Sequence, residues 1–453
     1  MREANVLSSL LVFLVILAAC AWLSASQAPA GRDVVLFEGA RLIDGNGRAP
    51  IESSAFLVEN NTFTRVGRKG ELRVPAGAMK VDLTGKTVMP ALVDPHNHIG
   101  YTNQKTGVSS KENFTRATLI DHLQRYAYYG VTATMSMGLD RWDVNPEMPY
   151  ELSREIIPNA ALFLTVGRGI AATPMAGPTA VYRLGVPYGA MTEAEGIKDV
   201  EELVARKVPI IKIWVDDRNG TVPKIQPNVY RAIIAEAHKR GTRVVAHIFN
   251  LVDGKDLLRA GVDGFAHGVR DRDVDDEYIA LIKQHPKVWV EPNLPDQALT
   301  ADEIDWLSET LPASQIKRMR DQLASRTPAE LKTQQDAFGI QCRNLKRIHD
   351  AGVKIAFATD AGVDVGWTVH TELADMVRCG LTPAEAIVAA TRTAAEITKL
   401  DRLGTVATGK SADFVVLDAN PLDAITNTRR IGKVYLRGKE VDRAALRASL
   451  SAP

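Results

Sequence analysis

The chain has few cysteines and almost no net charge, and each shortage excludes a class of protein. Three of its 453 residues are cysteine, too few for the disulfide framework of a small secreted scaffold. Only Cys342 and Cys379 lie beyond residue 30, both in helix-like sequence, so we expect the core rather than disulfides to stabilise the fold. Lys plus Arg number 55 against 54 Asp plus Glu, with no long run of one sign, which argues against a nucleic-acid partner.

The first 30 residues have the pattern of a secretory signal peptide: a polar start, an apolar stretch over about 6–22 and a small-residue tail. This pattern predicts an exported protein, periplasmic or secreted. Two cleavage sites compete. "LAAC" resembles a bacterial lipoprotein box and would leave Cys20 lipidated and membrane-anchored, whereas "SASQA" is a small-x-small site that ends at Ala28. An uncleaved anchor is a third alternative.

Two kinds of pattern divide the rest of the chain, which shows no internal repeat of solenoid period. Residues 33–88 and 403–445 alternate apolar residues with Gly or Asn punctuation, and we expect these two ends to form one small β-sandwich domain. Residues 89–402 alternate apolar runs with helical segments such as 227–240 and 251–260. The apolar runs are TVMPALVDPHNH, VTATMSMG, ALFLTVGRG, VPIIKIWVDD, TRVVAHIFN, VDGFAHGV, KVWVEPNL and VKIAFATDAG. These eight runs predict an α/β fold with a (β/α)8 TIM barrel.

Polar side chains with metal-binding chemistry close these apolar runs. His96 and His98 are two residues apart, so in a strand they point the same way. The others are Lys212, His247, His267 and Asp360. Barrel enzymes place their chemistry at the carboxyl ends of the strands, so all six are expected around one mouth. Each alone has an ordinary explanation as a loop, buried or turn residue, but a chance placement of all six at strand ends is improbable.

Lys212 is the most informative of the six. In "IIKIWV" the flanking Ile211, Ile213 and Val215 share the face that packs against helices, which leaves Lys212 and Trp214 on the barrel side. A buried ammonium is costly, because desolvation disfavours the charged form. Either the side chain extends to a solvated edge, or the neutral amine takes up carbon dioxide as a carbamate that bridges two metal ions.

The motifs together resemble the metal-dependent amidohydrolase superfamily, specifically its binuclear branch with imidazolonepropionase-like, Xaa-Pro dipeptidase-like and ochratoxinase-like members. The resemblance covers nearly everything after residue 30 and rests on GKTVMPALVDPHNH, IKIW, the paired His247 and His267, FATDAG, HTELADMVRCGLTPAEAIVAATRTAAEITKL and LGTVATGKSADFVVLDANPL. It implies that His96, His98 and Asp360 bind one divalent ion, that His247 and His267 bind a second, and that carboxylated Lys212 bridges both. Imidazole and oxygen ligands favour zinc, with manganese or cobalt as substitutes.

The resemblance also implies an enzyme that hydrolyses carbon–nitrogen bonds through a hydroxide shared by two metal ions. Asp360 would be both ligand and base, passing the proton of the water to the leaving amine. His370 opens "HTELADMV" ten residues later. It would either orient a partner or line the catalytic site, or else make only local contacts at a helix start.

Loops after the predicted strands are expected to select the substrate. Candidates for an apolar wall are Trp214, Met175, Tyr182 and Tyr188, and candidates for a carboxylate anchor are Arg183 and Arg218. Ordinary packing or solvation would explain each of them as well. "WVDDRNG" follows Lys212 where dipeptidase-like members carry a glycine-rich stretch, which puts a dipeptide specificity in doubt.

Three functions stay open at this point. The first is hydrolysis of a linear amide in a peptide-like or N-acyl amino acid substrate, and the second is hydrolysis of a cyclic amide or a lactone. The third is an exported binding lipoprotein on a retired enzyme scaffold, against which the complete set of six ligands argues. The expected partner is a small-molecule amide. Membrane contact would come only through a lipid anchor at Cys20, and homo-oligomerisation stays open.

Overall fold

The computed structural model describes residues 34–294, 297 and 299–452. The predicted signal peptide, with Cys20 and Ala28, lies outside the described residues. Within the described part of the chain, every helix is too short or too polar to span a bilayer.

Strands and helices alternate through the middle of the chain, and strands dominate its two ends. In chain order the strands are β1 (Val34–Glu38), β2 (Arg41–Leu42), β3 (Ser54–Glu59), β4 (Thr62–Arg68), β5 (Met79–Asp82), β6 (Thr87–Pro90), β7 (Leu92–Asn97), β8 (Thr102–Asn103), β9 (Val108–Ser109), β10 (Val131–Ser136), β11 (Leu162–Thr165), β12 (Ile170–Ala171), β13 (Tyr188–Gly189), β14 (Ile210–Val215), β15 (Arg243–Ile248), β16 (Gly264–Ala266), β17 (Trp289–Glu291), β18 (Lys354–Ile355), β19 (Phe414–Leu417), β20 (Ile431–Leu436) and β21 (Lys439–Glu440). The α-helices are Arg116–Tyr128, Met148–Leu152, Glu193–Ala205, Pro227–Lys239, Leu251–Ala260, Asp276–Lys283, Ala313–Ala324, Pro328–Asp350, Thr368–Arg378, Pro383–Val388, Ala394–Ile397 and Arg443–Leu450.

The two ends of the described chain share one sheet, with the strand order β2-β6-β19-β20-β21. Strand β6 pairs antiparallel with β19, so that Pro90 lies opposite Phe414. A second sheet, β4-β3-β1-β5, comes from the N-terminal part alone. Aromatic rings join the two parts: Phe414 stacks on Tyr435 at 4.6 Å between centroids and meets Phe37 edge-on at 5.1 Å. Such aromatic contacts add to the hydrophobic gain of burial.

Parallel sheets form the middle of the molecule, in the orders β11-β10-β7 and β13-β12-β14-β15-β16-β17-β18. Each of the eight predicted apolar runs contains an observed strand. The first run is two strands rather than one, since β6 belongs to the end sheet and β7 to the parallel sheet. Beyond β18, the Asp360 amide donates to the His96 carbonyl at 2.8 Å, and the His98 amide donates to the Ala361 carbonyl at 2.7 Å. This is a TIM-barrel-like α/β architecture.

Helix boundaries follow local sequence signals. Helix Glu193–Ala205 begins with a capping box between Thr192 and Glu195, which satisfies free amide groups of its first turn. Helix Leu251–Ala260 ends at Gly261, which has φ of 85°, a left-handed conformation that glycine adopts without a steric penalty. The insertion after β17 contains helices Ala313–Ala324 and Pro328–Asp350.

The two cysteines of the described residues form a disulfide, which the sequence analysis did not predict. Cys342, in helix Pro328–Asp350, is bonded to Cys379, the residue that follows helix Thr368–Arg378; their Cα atoms are 4.6 Å apart. The separation of 37 residues along the chain carries no information about how two helices pack, so the sequence alone could not reveal the pair.

Candidate metal centre

The carboxyl ends of the parallel strands bring the six predicted ligand residues to one region. His96 lies in β7, with His98 just beyond its end, and Lys212 and His247 lie in β14 and β15. The remaining two follow their strands, His267 after β16 and Asp360 after β18. In a parallel barrel these ends face one mouth, and the local backbone contributes as well. Asp360 has a positive φ of 54° and His267 one of 97°, so both sit at sharp turns out of their strands.

Three of the six side chains form a compact group, since ligand atoms of His96, His98 and Asp360 all lie within 4.8 Å of one another. Nε2 of His98 is 3.1 Å from Oδ1 of Asp360, and Nε2 of His96 is 3.4 Å from the same oxygen. Two imidazoles and a carboxylate converging in this way can hold a divalent ion.

A second pair of imidazoles adjoins this group. The His247 and His267 rings have centroids 4.6 Å apart, nearly perpendicular to each other. Nε2 of His267 is 3.8 Å from Oδ2 of Asp360, so His267 reaches the other oxygen of the same carboxylate. Nε2 of His247 also lies 3.3 Å from Oδ2 of Asp216. Asp360 therefore stands between two groups of imidazole ligands.

Lys212 lies among these imidazoles. Its side chain is fully buried, and its Nζ is 3.3 Å from Nε2 of His96. Burial lowers the pKa of Lys212, against the opposing effect of the Asp360 and Glu291 carboxylates. The environment thus raises the share of the neutral amine, the form that can act as a nucleophile.

Glu291 and Asn293 hold two of the imidazole rings from behind. Oε2 of Glu291 is 2.9 Å from Nδ1 of His96, and Oδ1 of Asn293 is 2.9 Å from Nδ1 of His267. A proton on Nδ1 that faces an oxygen leaves the Nε2 lone pair free for a metal. The sequence-based search missed both residues and Asp216, although all three end or follow a predicted strand. Their polar side chains at or just after the ends of apolar runs could have indicated them from the sequence.

Burial keeps the imidazoles neutral. It lowers the pKa values of His96 and His267 well below their usual range and that of His98 to about 4. Neutral imidazoles are the form that binds metals. A set of neutral nitrogens around one carboxylate, with a buried amine at its centre, fits divalent cations and has no evident role in packing.

Asp94 fixes the turn that carries Asp360. Its carboxylate accepts hydrogen bonds from the Thr359 amide at 3.1 Å and the Thr359 hydroxyl at 2.7 Å. The Tyr126 hydroxyl donates to the same carboxylate at 2.9 Å. Asp94 therefore ties β7 to the residue immediately before Asp360, and so holds Asp360 close to His96 and His98.

His370 is not brought to this cluster. It is buried, with Nδ1 3.0 Å from the Thr428 hydroxyl, and its ring meets those of Tyr129 and Trp306 at 5.9 and 6.0 Å. The structure places its ring in the packing around helix Thr368–Arg378. This agrees with the alternative that His370 makes only local contacts at a helix start. Its position near Asp360 in sequence is misleading, because the contacts of its ring are with Tyr129, Trp306 and Thr428 rather than with the cluster.

The predicted substrate residues divide into two groups. The Trp214 ring centroid is 5.3 Å from Nζ of Lys212, and Arg183 donates from Nη2 to the His98 carbonyl at 3.0 Å; Tyr182 lies beside Arg183. These three border the cluster. Tyr188 instead donates to Glu202 at 2.5 Å, Arg218 donates to the Gly177 carbonyl at 2.5 Å, and Met175 is exposed.

Comparison with known proteins points the same way as this set of ligands. The sequence is 28% identical over 405 residues to an imidazolonepropionase of Geobacillus thermodenitrificans, covering 82% of this chain and 84% of that protein. Among solved structures, the fold is similar to a Xaa-Pro dipeptidase with methionine bound in its active site, with a TM-score of 0.69 and 21% identity over 90% of this chain and 99% of that one. It is also similar to A. niger ochratoxinase, with a TM-score of 0.69 and 19% identity over 90% and 95% of the two chains.

The sequence also matches the amidohydrolase family as a whole, over residues 87–441. That span begins in β6 and ends just beyond β21, so it includes the parallel sheets, all six ligand residues and the C-terminal strands. Since the match covers most of the sequence, the chain belongs to the amidohydrolase family and is a hydrolase that acts on carbon–nitrogen bonds.

Proposed function

We propose that this chain hydrolyses an amide bond in a peptide-like or N-acyl amino acid substrate and uses two divalent metal ions, zinc by preference, as cofactors. The observation that carries the proposal is the convergence of three imidazoles on Asp360, with the His247 ring against that of His267 and the buried Lys212 beside His96. When bound, such ions lower the pKa of a water molecule and polarise a scissile carbonyl. The similarity to a Xaa-Pro dipeptidase supports a peptide-like substrate.

The ligand residues fall into two sets in this proposal. His96, His98 and Asp360 hold one ion, while His247 and His267 hold the other. Lys212 joins the sets as a carbamate: its neutral Nζ forms a bond to the carbon of carbon dioxide and loses one proton. The product is an anion, which offsets the repulsion between two dications. The burial that disfavours an ammonium at this position supports this conversion.

Asp360 acts as the base. Its carboxylate lies 3.1 Å from His98 and 3.8 Å from His267, so it borders both sets of ligands. It accepts a proton from the attacking water and gives it to the nitrogen of the leaving amine, which departs neutral. Asp94 and Thr359 keep the carboxylate in place during both transfers.

A cyclic amide or lactone is the second candidate substrate. The similarity to an imidazolonepropionase across most of both chains favours it, and the same set of ligands would serve. A panel of N-acyl amino acids, dipeptides, cyclic imides and lactones, assayed on zinc-loaded protein, separates the two. Turnover of cyclic substrates alone would replace the first proposal with the second.

The proposed site is tested with Lys212→Ala. We expect this variant to bind at most one zinc per chain by metal analysis and to lose at least about a thousandfold in kcat, because two dications no longer share an anionic ligand. Short carboxylic acids should partly restore activity by occupying the place of the carbamate. Lys212→Arg is the matched control and should not be restored, since guanidinium stays cationic. Two bound metals and near-normal turnover in Lys212→Ala without added acid would exclude the bridging role.

Three further points belong to the proposal. The parallel strands close into a (β/α)8 barrel, which the backbone hydrogen bonds from Asp360 and His98 support. Residues 33–88 and 403–445 form one β-sandwich domain, which the shared sheet and aromatic contacts support. The mature protein is exported, which the Cys342–Cys379 disulfide supports because such bonds persist in oxidising compartments.

A further inference from the structure

Arg183 contacts the two segments that carry His98 and Asp360, two of the residues proposed to hold the first metal ion. It ends the short 3-10 helix Val181–Arg183 in the loop between β12 and β13. Its Nη2 donates to the carbonyl of His98 at 3.0 Å. The same guanidinium lies against Gly362, so closely that a Cβ atom at that position would overlap it. Arg183 is therefore placed at the edge of the mouth, between His98 and the turn after Asp360.

Aromatic rings hold the guanidinium in this position. Its central carbon is 5.4 Å from the Tyr101 ring centroid and 5.3 Å from that of Tyr182. The Tyr101 hydroxyl donates to the Leu139 carbonyl at 2.5 Å, so this ring is itself fixed. A planar cation held against aromatic faces is preorganised and loses little freedom when it binds an anion.

Among the residues that the structure describes, the guanidinium of Arg183 has no ion-pair partner. No carboxylate lies within 4.0 Å of it in the described part of the chain, and its buried Nε has no hydrogen-bond partner among the described residues. Arg270, the other arginine near the ligands, likewise has a buried Nε without a hydrogen-bond partner among the described residues. It differs in the nearby negative charge of Asp360, Glu372 and Asp216, and it donates to the Asn293 carbonyl at 3.2 Å. An uncompensated guanidinium at a binding mouth is suited to an anionic ligand group.

We propose that Arg183 binds the α-carboxylate of the amino acid portion of the substrate. This inference rests on the proposed function and restricts it to substrates with a free carboxylate next to the scissile amide. The restriction follows from distance, because Arg183 contacts the backbone of His98, itself a ligand residue. In an N-acyl α-amino acid only one carbon separates the amide nitrogen from the carboxylate, so the anion lies close to the reacting bond.

The experiment compares an N-acyl amino acid with its carboxamide, which has the same shape but no charge. On zinc-loaded wild-type protein, kcat/KM for the acid should exceed that for the carboxamide. In Arg183→Gln the acid should lose about 10- to 100-fold, the scale of a charge-assisted hydrogen bond. The carboxamide should change far less, so that the preference for the acid disappears. Arg272→Gln removes the same charge from a side chain that is 71% exposed and should keep that preference.

Binding separates this inference from the proposed function. An N-benzyl amino acid has no amide carbonyl, so calorimetry with it and with its carboxamide measures carboxylate preference without turnover. Preferential binding of the acid that Arg183→Gln abolishes, in a protein that hydrolyses no amide, would support the carboxylate site and contradict the proposed function. Equal losses for acid and carboxamide in Arg183→Gln would show a purely structural arginine. Loss of the preference in Arg270→Gln instead of Arg183→Gln would also overturn the assignment.

Discussion

At the scale of single residues, metal affinity depends on the groups that hold the imidazole ligands. Glu291 accepts from the Trp289 indole at 3.0 Å with one oxygen and faces Nδ1 of His96 at 2.9 Å with the other. Both oxygens are therefore acceptors for N–H donors. In Glu291→Gln, the NH2 group of the amide would face either the Trp289 indole N–H or the His96 Nδ1–H, so that two donors would oppose each other.

Glu291→Gln should consequently weaken zinc binding by about 10- to 100-fold, the usual effect of removing a hydrogen-bonding partner behind a metal-binding histidine. Competition with a chelator of known affinity measures the change. Glu277→Gln, at an exposed position on helix Asp276–Lys283, is the control and should bind zinc like the wild type. Unchanged zinc affinity in Glu291→Gln would mean that His96 does not depend on Glu291 for its orientation.

Sequence reasoning identified the candidate metal ligands whose position at the end of an apolar run already indicates a place at the mouth. His96, His98, Lys212, His247 and Asp360 end apolar runs, so strand periodicity alone predicts that they share a mouth. Glu291 was not found because its role depends on reaching His96, which is 195 positions away in sequence. Such a contact is set by the order of strands around the sheet, and no local pattern contains it.

His370 shows the opposite error at the same scale. It lies in a motif that resembles the family, close in sequence to Asp360. Its ring nevertheless packs against Tyr129 and Trp306, because the loop after Asp360 leads into the first turn of helix Thr368–Arg378, where His370 lies. A short distance along the chain therefore does not by itself place two side chains in one site.

At the scale of elements, the disulfide fastens the segment that carries Asp360. Cys342 and Cys379 lie on either side of β18 and the Asp360 turn, and 37 residues separate them. Cross-linking a loop of this size stabilises a fold by about 2–4 kcal/mol, chiefly by restricting the unfolded chain. The bond therefore supports the position of the proposed base as well as the packing of two helices.

The Cys342→Ala/Cys379→Ala double variant should lower the free energy of unfolding by about 2–4 kcal/mol in urea titration. Wild-type protein treated with a thiol reductant should show a similar loss, and the double variant should not respond to reductant at all. A wild-type transition that is the same with and without reductant would mean that the bond does not form or does not stabilise the fold.

The prediction of strands from apolar runs succeeded where a whole run belongs to one sheet. It failed where a run passes from one sheet to another. The run that starts at Thr87 looks continuous, yet β6 pairs with β19 while β7 pairs with β10. Hydrophobicity reports burial, and both halves are buried. The β6 half is buried by residues more than 300 positions away, such as Phe414 opposite Pro90, and the local pattern does not contain that information.

At the scale of the whole molecule, the ends of the described chain meet, and the proposal that the protein is exported rests on features far apart in sequence. The apolar stretch over about 6–22 predicts export, and the disulfide lies at the other end of the chain. The two observations are independent, since one comes from composition and the other from the packing of two helices. Cytosolic thiols are normally kept reduced, so the disulfide would be expected only if the leader directs the chain out of the cytosol.

Expression of the full chain in a bacterium with a periplasm tests this proposal together with the alternative cleavage sites. We expect the protein in the exported fraction, with Cys342 and Cys379 unreactive toward thiol reagents until it is unfolded and reduced.

Intact mass then distinguishes the two cleavage sites. If "LAAC" is used, wild-type protein begins at a lipidated Cys20 and Cys20→Ser abolishes the lipid; if "SASQA" is used, wild type and Cys20→Ser have the same mature mass, beginning after Ala28. Cys342→Ser serves as the control, because it alters a thiol but not the leader and should leave the mature N-terminus unchanged. A cytoplasmic product that retains Met1 and has both thiols free would contradict export, since neither the leader nor the disulfide would then have its expected role.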